Sequence, residues 1–201
     1  LITAGPTYEA IDPVRFIGNY STGKMGFAVA EELAHQGAKV TVVAGPTNVK
    51  TQLPGIDIVP VTSAEEMYQA CISRFSGADI TVLSAAVADY RPIKAADQKI
   101  KKTDQTLTIE LTHTKDIAAE LGKLKKQGQI IVGFALETEN EKANAEKKLI
   151  SKRFDLIVLN SLQDPGSGFG YDTNKITLIN SSKQVQEFNL KSKKEVARDI
   201  V

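Results

Sequence analysis

Short apolar runs alternate with amphipathic stretches along most of this chain, and that alternation constrains its fold more than any other feature. The apolar runs are Leu1–Ala4, Lys39–Ala44, Ile56–Val61, Ile80–Ala86, Ile130–Ala135 and Leu156–Leu159. Helical spacing of apolar residues marks Gly26–Gln36, Ser63–Phe75, Thr114–Lys126 and Glu141–Arg153. Buried strands, each with a covering helix, predict an α/β, Rossmann-like, doubly wound and mostly parallel sheet. With 201 residues, 42% of them hydrophobic, there is material for one sizeable core, so residues 1–201 are expected to form a single domain.

Two stretches break the rhythm. Lys99–Thr112, KIKKTDQTLTIELT, alternates polar and apolar residues about a Thr-Asp-Gln turn. It predicts an added β-hairpin, joined to the sheet or reaching toward a partner subunit. Gln163–Thr173 is a glycine-rich loop ahead of a strand at Lys175–Ile179, and its glycines read as turn chemistry before ligand contact. The echo between ITAGPT near the start and VVAGPT at Val42–Thr47 is too brief for a repeat and reflects similar strand exits.

Composition removes several function classes. A formal net charge of +1 argues against bulk nucleic-acid binding. No apolar run approaches the roughly 20 residues of a membrane span, and no segment has the charged start and cleavage site of a signal peptide. A lone cysteine, Cys71, rules out an internal disulfide and fits a reducing cytoplasm; its setting in EEMYQACISRF marks a buried structural thiol on a helix face. Leu1 lies inside an apolar strand run, so the chain is expected to be a segment of a longer protein.

The chemistry concentrates in Gly18–Met25, GNYSTGKM. It falls one side chain short of the phosphate-binding pattern G-x-x-x-x-G-K-[ST], because Met25 stands where a hydroxyl would hold magnesium. Ser21, Thr22 and Gly23 precede an expected helix, whose unpaired N–H groups and dipole attract anions, so these three are candidates for phosphate contact. A dinucleotide oxidoreductase would instead carry a tight G-x-G-x-x-G turn and an acidic residue after the second strand; here that strand ends Ala44, Gly45, Pro46, Thr47. His35, His113 and Cys71 form no metal-ligand spacing, and no G-x-S-x-G elbow occurs. Lys148 and Lys152 lie four apart, on one side of an expected helix, and present two positive charges together. These features fit chemistry in which phosphates are gripped and charge is neutralised, adenylyl-type or cytidylyl-type activation of a carboxylate, while an NAD(P)-dependent reductase and a non-catalytic nucleotide-binding module stay open as rival readings.

The run ITAGPTYEAIDPVRFIGNYSTGKMGFAVA, with SAAVADYRP, QKIKK, TKDIA, VGFALET and AEKKLISKRFD, closely resembles the bacterial phosphopantothenoylcysteine synthetase family. That family is the ligase domain often fused behind a flavin-dependent phosphopantothenoylcysteine decarboxylase. The resemblance covers essentially the whole chain and implies a two-step ligation. The carboxylate of 4'-phosphopantothenate attacks the α-phosphate of CTP, giving an acyl-cytidylate and pyrophosphate, and the amino group of cysteine then displaces CMP. Mg2+ is implied, since a triphosphate needs its charge neutralised.

The resemblance also implies site residues. Asn19 matches an asparagine that handles the acyl-cytidylate, although an amide there also suits a turn. Lys99 matches a lysine on a mobile flap, otherwise a surface charge on the hairpin. Ser84, Ala85, Ala86 and Asp89 match a segment lining the nucleotide site. Lys115, Asp116, Ile117 and Ala118 match a second nucleotide-binding segment; the family commonly has proline at the place of Lys115, so a backbone role transfers better there than a side-chain one. Phe134 matches a nucleotide-contacting aromatic, and Lys148 and Lys152 match two lysines at the nucleotide. Lys24 is expected to face solvent or to pair with a neighbouring carboxylate. A homodimer is implied, with contacts around Lys101–Leu111.

Overall fold

The structure is a computed structural model and describes residues 1–102, 106–161, 164 and 166–201. The chain opens with β1 (Ile2–Ala4), β2 (Tyr8–Ala10), β3 (Phe16–Gly18), α1 (Lys24–His35), β4 (Val40–Ala44) and β5 (Ile56–Pro60). It continues through α2 (Ala64–Phe75), β6 (Ile80–Leu83), β7 (Tyr90–Pro92), β8 (Leu111–His113), α3 (Ile117–Leu124) and β9 (Ile130–Glu137). Then follow α4 (Glu141–Ser151), β10 (Leu156–Ser161), β11 (Thr173–Asn174), β12 (Ile176–Asn180), β13 (Val185–Glu187), β14 (Lys191–Ser192) and α5 (Lys193–Ile200).

The main sheet has the order β13-β12-β10-β9-β6-β1-β4-β5. From β5 through β10 all neighbours are parallel, while β12 and β13 add an antiparallel edge. The strands are rich in β-branched residues because both faces of a parallel sheet are covered. Ile2, Val42, Val132 and Val158 face α1 and α5, while Val43, Ile131, Ile157 and Leu159 face α2, α3 and α4. Phe27, Met67, Leu121 and Ile131 are fully buried, each stabilising the fold by about 1.5–3 kcal/mol. The sequence echo has a plain origin: Ile2, Thr3 and Ala4 lie in register with Val42, Val43 and Ala44 on adjacent parallel strands.

Helix starts follow their capping chemistry. Ser63 accepts from the Glu66 N–H, Asp116 from the Ala119 N–H, and Ser192 forms a reciprocal box with Glu195, as short polar side chains do for unpaired first-turn donors. The two-stranded ribbons pair β2 with β3, β7 with β8 and β11 with β14. The antiparallel pairing expected within Lys99–Thr112 is made differently. Its last residues, in β8, pair with β7, which precedes the segment, so the first strand of the hairpin comes from Tyr90–Pro92. The turn expected at residues 103–105 lies outside the described residues, as do 162, 163 and 165 of the glycine-rich loop.

Candidate active site

Strands β1 and β6 are neighbours, yet the helix after β1 covers one face of the sheet and the helix after β6 the other. Such a switch leaves a crevice beyond the carboxyl ends of the strands. A cavity of about 640 Å3 lies there, spanning the ends of β1, β6, β9 and β10.

One wall is the start of α1. Gly23 takes φ 80°, and α1 begins without a side-chain cap; Lys24, Met25 and Gly26 of its first turn line the cavity. Ser21, Thr22 and Gly23 line it too. Their course is fixed by Thr47, whose hydroxyl donates to the Thr22 carbonyl at 2.7 Å. Lys24 turns outward along the wall and donates to Asp172 Oδ1 at 2.7 Å and the Gly170 carbonyl at 3.2 Å. That is the pairing expected of it. The Lys24 ammonium in turn holds the Asp172 carboxyl below its usual range.

The floor is the exit of β6. Ala85 N–H donates to Thr3 Oγ1 at 3.2 Å, Ala86 N–H to the Gly5 carbonyl at 2.9 Å, and Ala88 N–H to Thr7 Oγ1 at 2.9 Å. The segment thus runs alongside the exit of β1, and Ser84, Ala85, Ala86 and Asp89 line the cavity. Asn19 lies just outside: its Nδ2 donates to the carbonyls of Ala86 at 3.0 Å and Val87 at 3.2 Å. Both amide hydrogens brace the floor, leaving Oδ1 as an acceptor.

The opposite wall joins α3 to the end of α4. Lys115, Asp116, Ile117 and Ala118 line it, as do Phe134 from β9 and Lys148 and Lys152 from α4. Lys148 Nζ lies 2.6 Å from Glu137 Oε1, and Lys152 Nζ 3.0 Å from Asp116 Oδ2. Lys115 donates to Glu65 at 2.8 Å and sits 4.4 Å from the centre of the Tyr68 ring; the Glu65 partner raises the Lys115 pKa. A Cβ at Gly122 would stand 2.2 Å from the Lys152 carbonyl oxygen, so glycine there lets α3 approach and bring Asp116 to Lys152. These ion pairs are partly exposed, so each is weak, and a polyphosphate offers the same lysines stronger, multiply charged acceptors.

Lys99 stands apart. It is exposed and does not line the cavity. Its neighbour Ile100 is anchored: the buried Asp12 accepts from the Ile100 N–H at 3.1 Å, and Arg15 donates to the Ile100 carbonyl at 2.8 Å. The Arg15 guanidinium holds the Asp12 carboxyl well below the usual carboxylate range. The base of the expected flap is therefore fastened to the β2–β3 ribbon.

Sequence reasoning missed Thr3 and Thr7, whose signal is two hydroxyls four apart in an otherwise apolar strand exit. It also missed Asn160, Phe169, Asn174 and Lys193, all at the cavity. Asn174 accepts from Ser167 Oγ at 2.7 Å and donates to Asn160 Oδ1 at 2.8 Å, which draws the glycine-rich loop, read as turn chemistry, onto the site.

Comparison with known proteins places this architecture. The whole chain, residues 1–201, matches the family model described as DNA/pantothenate metabolism flavoprotein C-terminal domain. It is 45% identical over 201 residues to the coenzyme A biosynthesis bifunctional protein CoaBC of Bacillus subtilis (strain 168), covering 100% of this chain and 49% of that protein. It is 52% identical over 200 residues to a cysteine/cysteine sulfinic acid decarboxylase of an unknown prokaryotic organism, covering 100% of this chain and 56% of that protein. The chain thus spans about half the length of these curated relatives. Among solved structures, the C-terminal domain of a CoaBC protein superposes with a TM-score of 0.83 at 40% identity, covering 99% of this chain and 89% of that one. This chain belongs to the DNA/pantothenate metabolism flavoprotein C-terminal domain family.

Proposed function

We propose that this chain is a phosphopantothenate–cysteine ligase domain acting in coenzyme A biosynthesis. The carrying observation is the cavity at the switch point, which gathers every expected nucleotide-contact position from five separate sequence segments. The 40% identity to a CoaBC C-terminal domain supports the same reading. In the first step a carboxylate oxygen of 4'-phosphopantothenate bonds to the α-phosphorus of CTP and the bond to pyrophosphate breaks. In the second, the cysteine nitrogen bonds to the acyl carbon, CMP leaves, and the nitrogen gives up its proton.

The chain's part is to bind, orient and neutralise. The uncapped α1 start with Ser21, Thr22 and Gly23 receives phosphate oxygens, and Lys148 and Lys152 exchange Glu137 and Asp116 for them. Phe134 and the Lys115–Ala118 segment border the nucleoside. Asn19 holds the Ala86–Val87 floor and offers its free oxygen to the incoming amine, while Lys99 reaches in from the flap. Among the described residues no group of three or more His, Cys, Asp or Glu side chains is placed to hold a metal. Mg2+ would arrive on the phosphates and keep its waters; Asp89 and Asp116 are the carboxylates lining the cavity that would meet it. Bound there, it would neutralise charge on the departing pyrophosphate.

A homodimer is part of this reading. Val14, Phe16 and Tyr20 on the β2–β3 ribbon and Ile93, Leu107 and Leu111 beside β7–β8 are exposed large apolar residues, and β2 touches β7, so they suit a second copy. In a longer protein the partner domain would be a flavin-dependent decarboxylase. No helix among the described residues is long and apolar enough to cross a membrane. The name of the decarboxylase relative suggests a second reading. However, a cavity of about 640 Å3 ringed by lysines exceeds what a free amino acid needs and suits a nucleotide.

Incubation with CTP, Mg2+, 4'-phosphopantothenate and cysteine should yield phosphopantothenoylcysteine, CMP and pyrophosphate in equal amounts. Thermal stabilisation by NADPH with none by CTP and Mg2+ would instead favour a reductase.

A further inference from the structure

One buried charge at the cavity has no part in the roles above. Lys193 is the first residue of α5, and only 8% of its surface is exposed. Its ammonium donates to the carbonyl oxygens of Gly168 at 3.1 Å, Tyr171 at 2.5 Å and Thr173 at 3.1 Å. An ammonium has three donors, and one short segment of the glycine-rich loop takes all three. A buried lysine is tolerable only with such partners. Burial lowers its pKa, and the nearby Lys24 ammonium adds to the effect while Asp172 opposes it.

The post that carries Lys193 is rigid. The Ser192–Glu195 box fixes the start of α5, and Val196 and Ala197 are buried in the core that α1 shares. The segment it grips is irregular, with φ 95° at Gly168 and 82° at Gly170. Lys24 holds the same segment from α1, and Asn174 holds the Gly168 N–H at 3.3 Å. Phe169, within the gripped stretch, lines the cavity and is 38% exposed.

We propose that Lys193 is a positioning residue: by gripping the carbonyls of Gly168, Tyr171 and Thr173 it fixes Phe169 and its neighbours as a wall of the nucleotide site facing the α1 start. This rests on the ligase reading. Lys193 presents no free donor to a reacting atom, so its loss acts on nucleotide binding rather than on turnover. Arginine keeps the charge but, being a planar fork, does not match three converging carbonyls.

The test measures pyrophosphate release and CTP-induced hydrogen-exchange protection of residues 168–173 in wild type, Lys193→Met, Lys193→Arg and Phe169→Ala. The expected result is a KM for CTP raised about tenfold in Lys193→Met, with kcat within about twofold, the pattern of lost uniform binding. Lys193→Arg should give a partial rise, Phe169→Ala a rise without loss of melting temperature, and CTP should protect 168–173 in wild type but not in Lys193→Met. A folded Lys193→Met variant with wild-type KM and protection overturns the proposal. Should Lys193→Met fail to fold, a wild-type KM in Phe169→Ala overturns it instead. Wild-type protein that CTP protects at 168–173 but that releases no pyrophosphate contradicts the ligase reading and supports the wall; no protection by CTP contradicts the wall.

Discussion

Asn19 commits both amide hydrogens to the Ala86 and Val87 carbonyls. Asn19→Asp removes those donors and sets a carboxylate against two carbonyl oxygens and a phosphate-bearing intermediate. Pyrophosphate release should persist while amide formation falls by about a hundredfold, the scale of misplacing a reacting group by about 1 Å; comparing the two products by single-turnover analysis checks this. Cys71 is fully buried, and burial raises its pKa to about 12. The unfolded thiol ionises near about 8.5, so protonation of Cys71 favours the folded state fully below that pH. The advantage is lost as pH rises toward 12. The stability difference between wild type and Cys71→Ala in urea titrations should therefore shrink from pH 7 to pH 10, and a difference that grows would contradict this. At this scale the spacing of four sets Lys148 and Lys152 on one helical face, and both line the cavity, but spacing alone reads equally as a solvated face and their assignment to a nucleotide came from the resemblance. Lys193 was not: KSKKEVARDI reads as charged surface, and its burial comes from carbonyls 20 to 25 residues earlier.

The contact between α3 and the end of α4 sets one wall of the cavity, and it rests on a cap and a glycine. Asp116→Ala removes the α3 cap and the Lys152 pair and should cost about 1 kcal/mol. Asp116→Asn keeps a capping oxygen and should cost less; denaturant midpoints separate the two. Gly122→Ala forces a methyl against the Lys152 carbonyl and should destabilise by about 1–3 kcal/mol while raising the KM for CTP, because Lys152 moves with it. The six parallel strands were legible as apolar runs, five of them because both faces are covered, whereas β5 at the sheet edge keeps its run although Asp57, Ile58 and Pro60 are exposed. The ribbons β2–β3 and β11–β14 were not, since strands of two or three residues are too short to show a period. The expected hairpin was half legible: alternation marked β8, but its partner Tyr90–Pro92 precedes the Lys99–Thr112 segment, and register between distant segments is not written in either one.

Across the whole molecule, the order of the parallel strands makes the site, since the α1 start, the β6 exit and the α3–α4 wall meet where the helices after the paired strands β1 and β6 take opposite faces of the sheet. We expect residues 1–201 to act as one domain, which predicts a single unfolding transition with coincident fluorescence and circular-dichroism curves. Self-association through the two exposed ribbons should weaken in Phe16→Ser with Leu111→Ser, read by light scattering. The P-loop-like run GNYSTGKM finds its place at this scale too: Lys24 is tied to Asp172 and Met25 is largely buried, and both line the cavity together with Ser21, Thr22 and Gly23. The most direct measurement is pyrophosphate release from CTP and from ATP, with Mg2+ and 4'-phosphopantothenate, before cysteine is added. A stoichiometric burst with CTP that exceeds the burst with ATP, followed by amide formation on adding cysteine, is the expected result. No release from either nucleotide by folded protein would contradict carboxylate activation at this cavity.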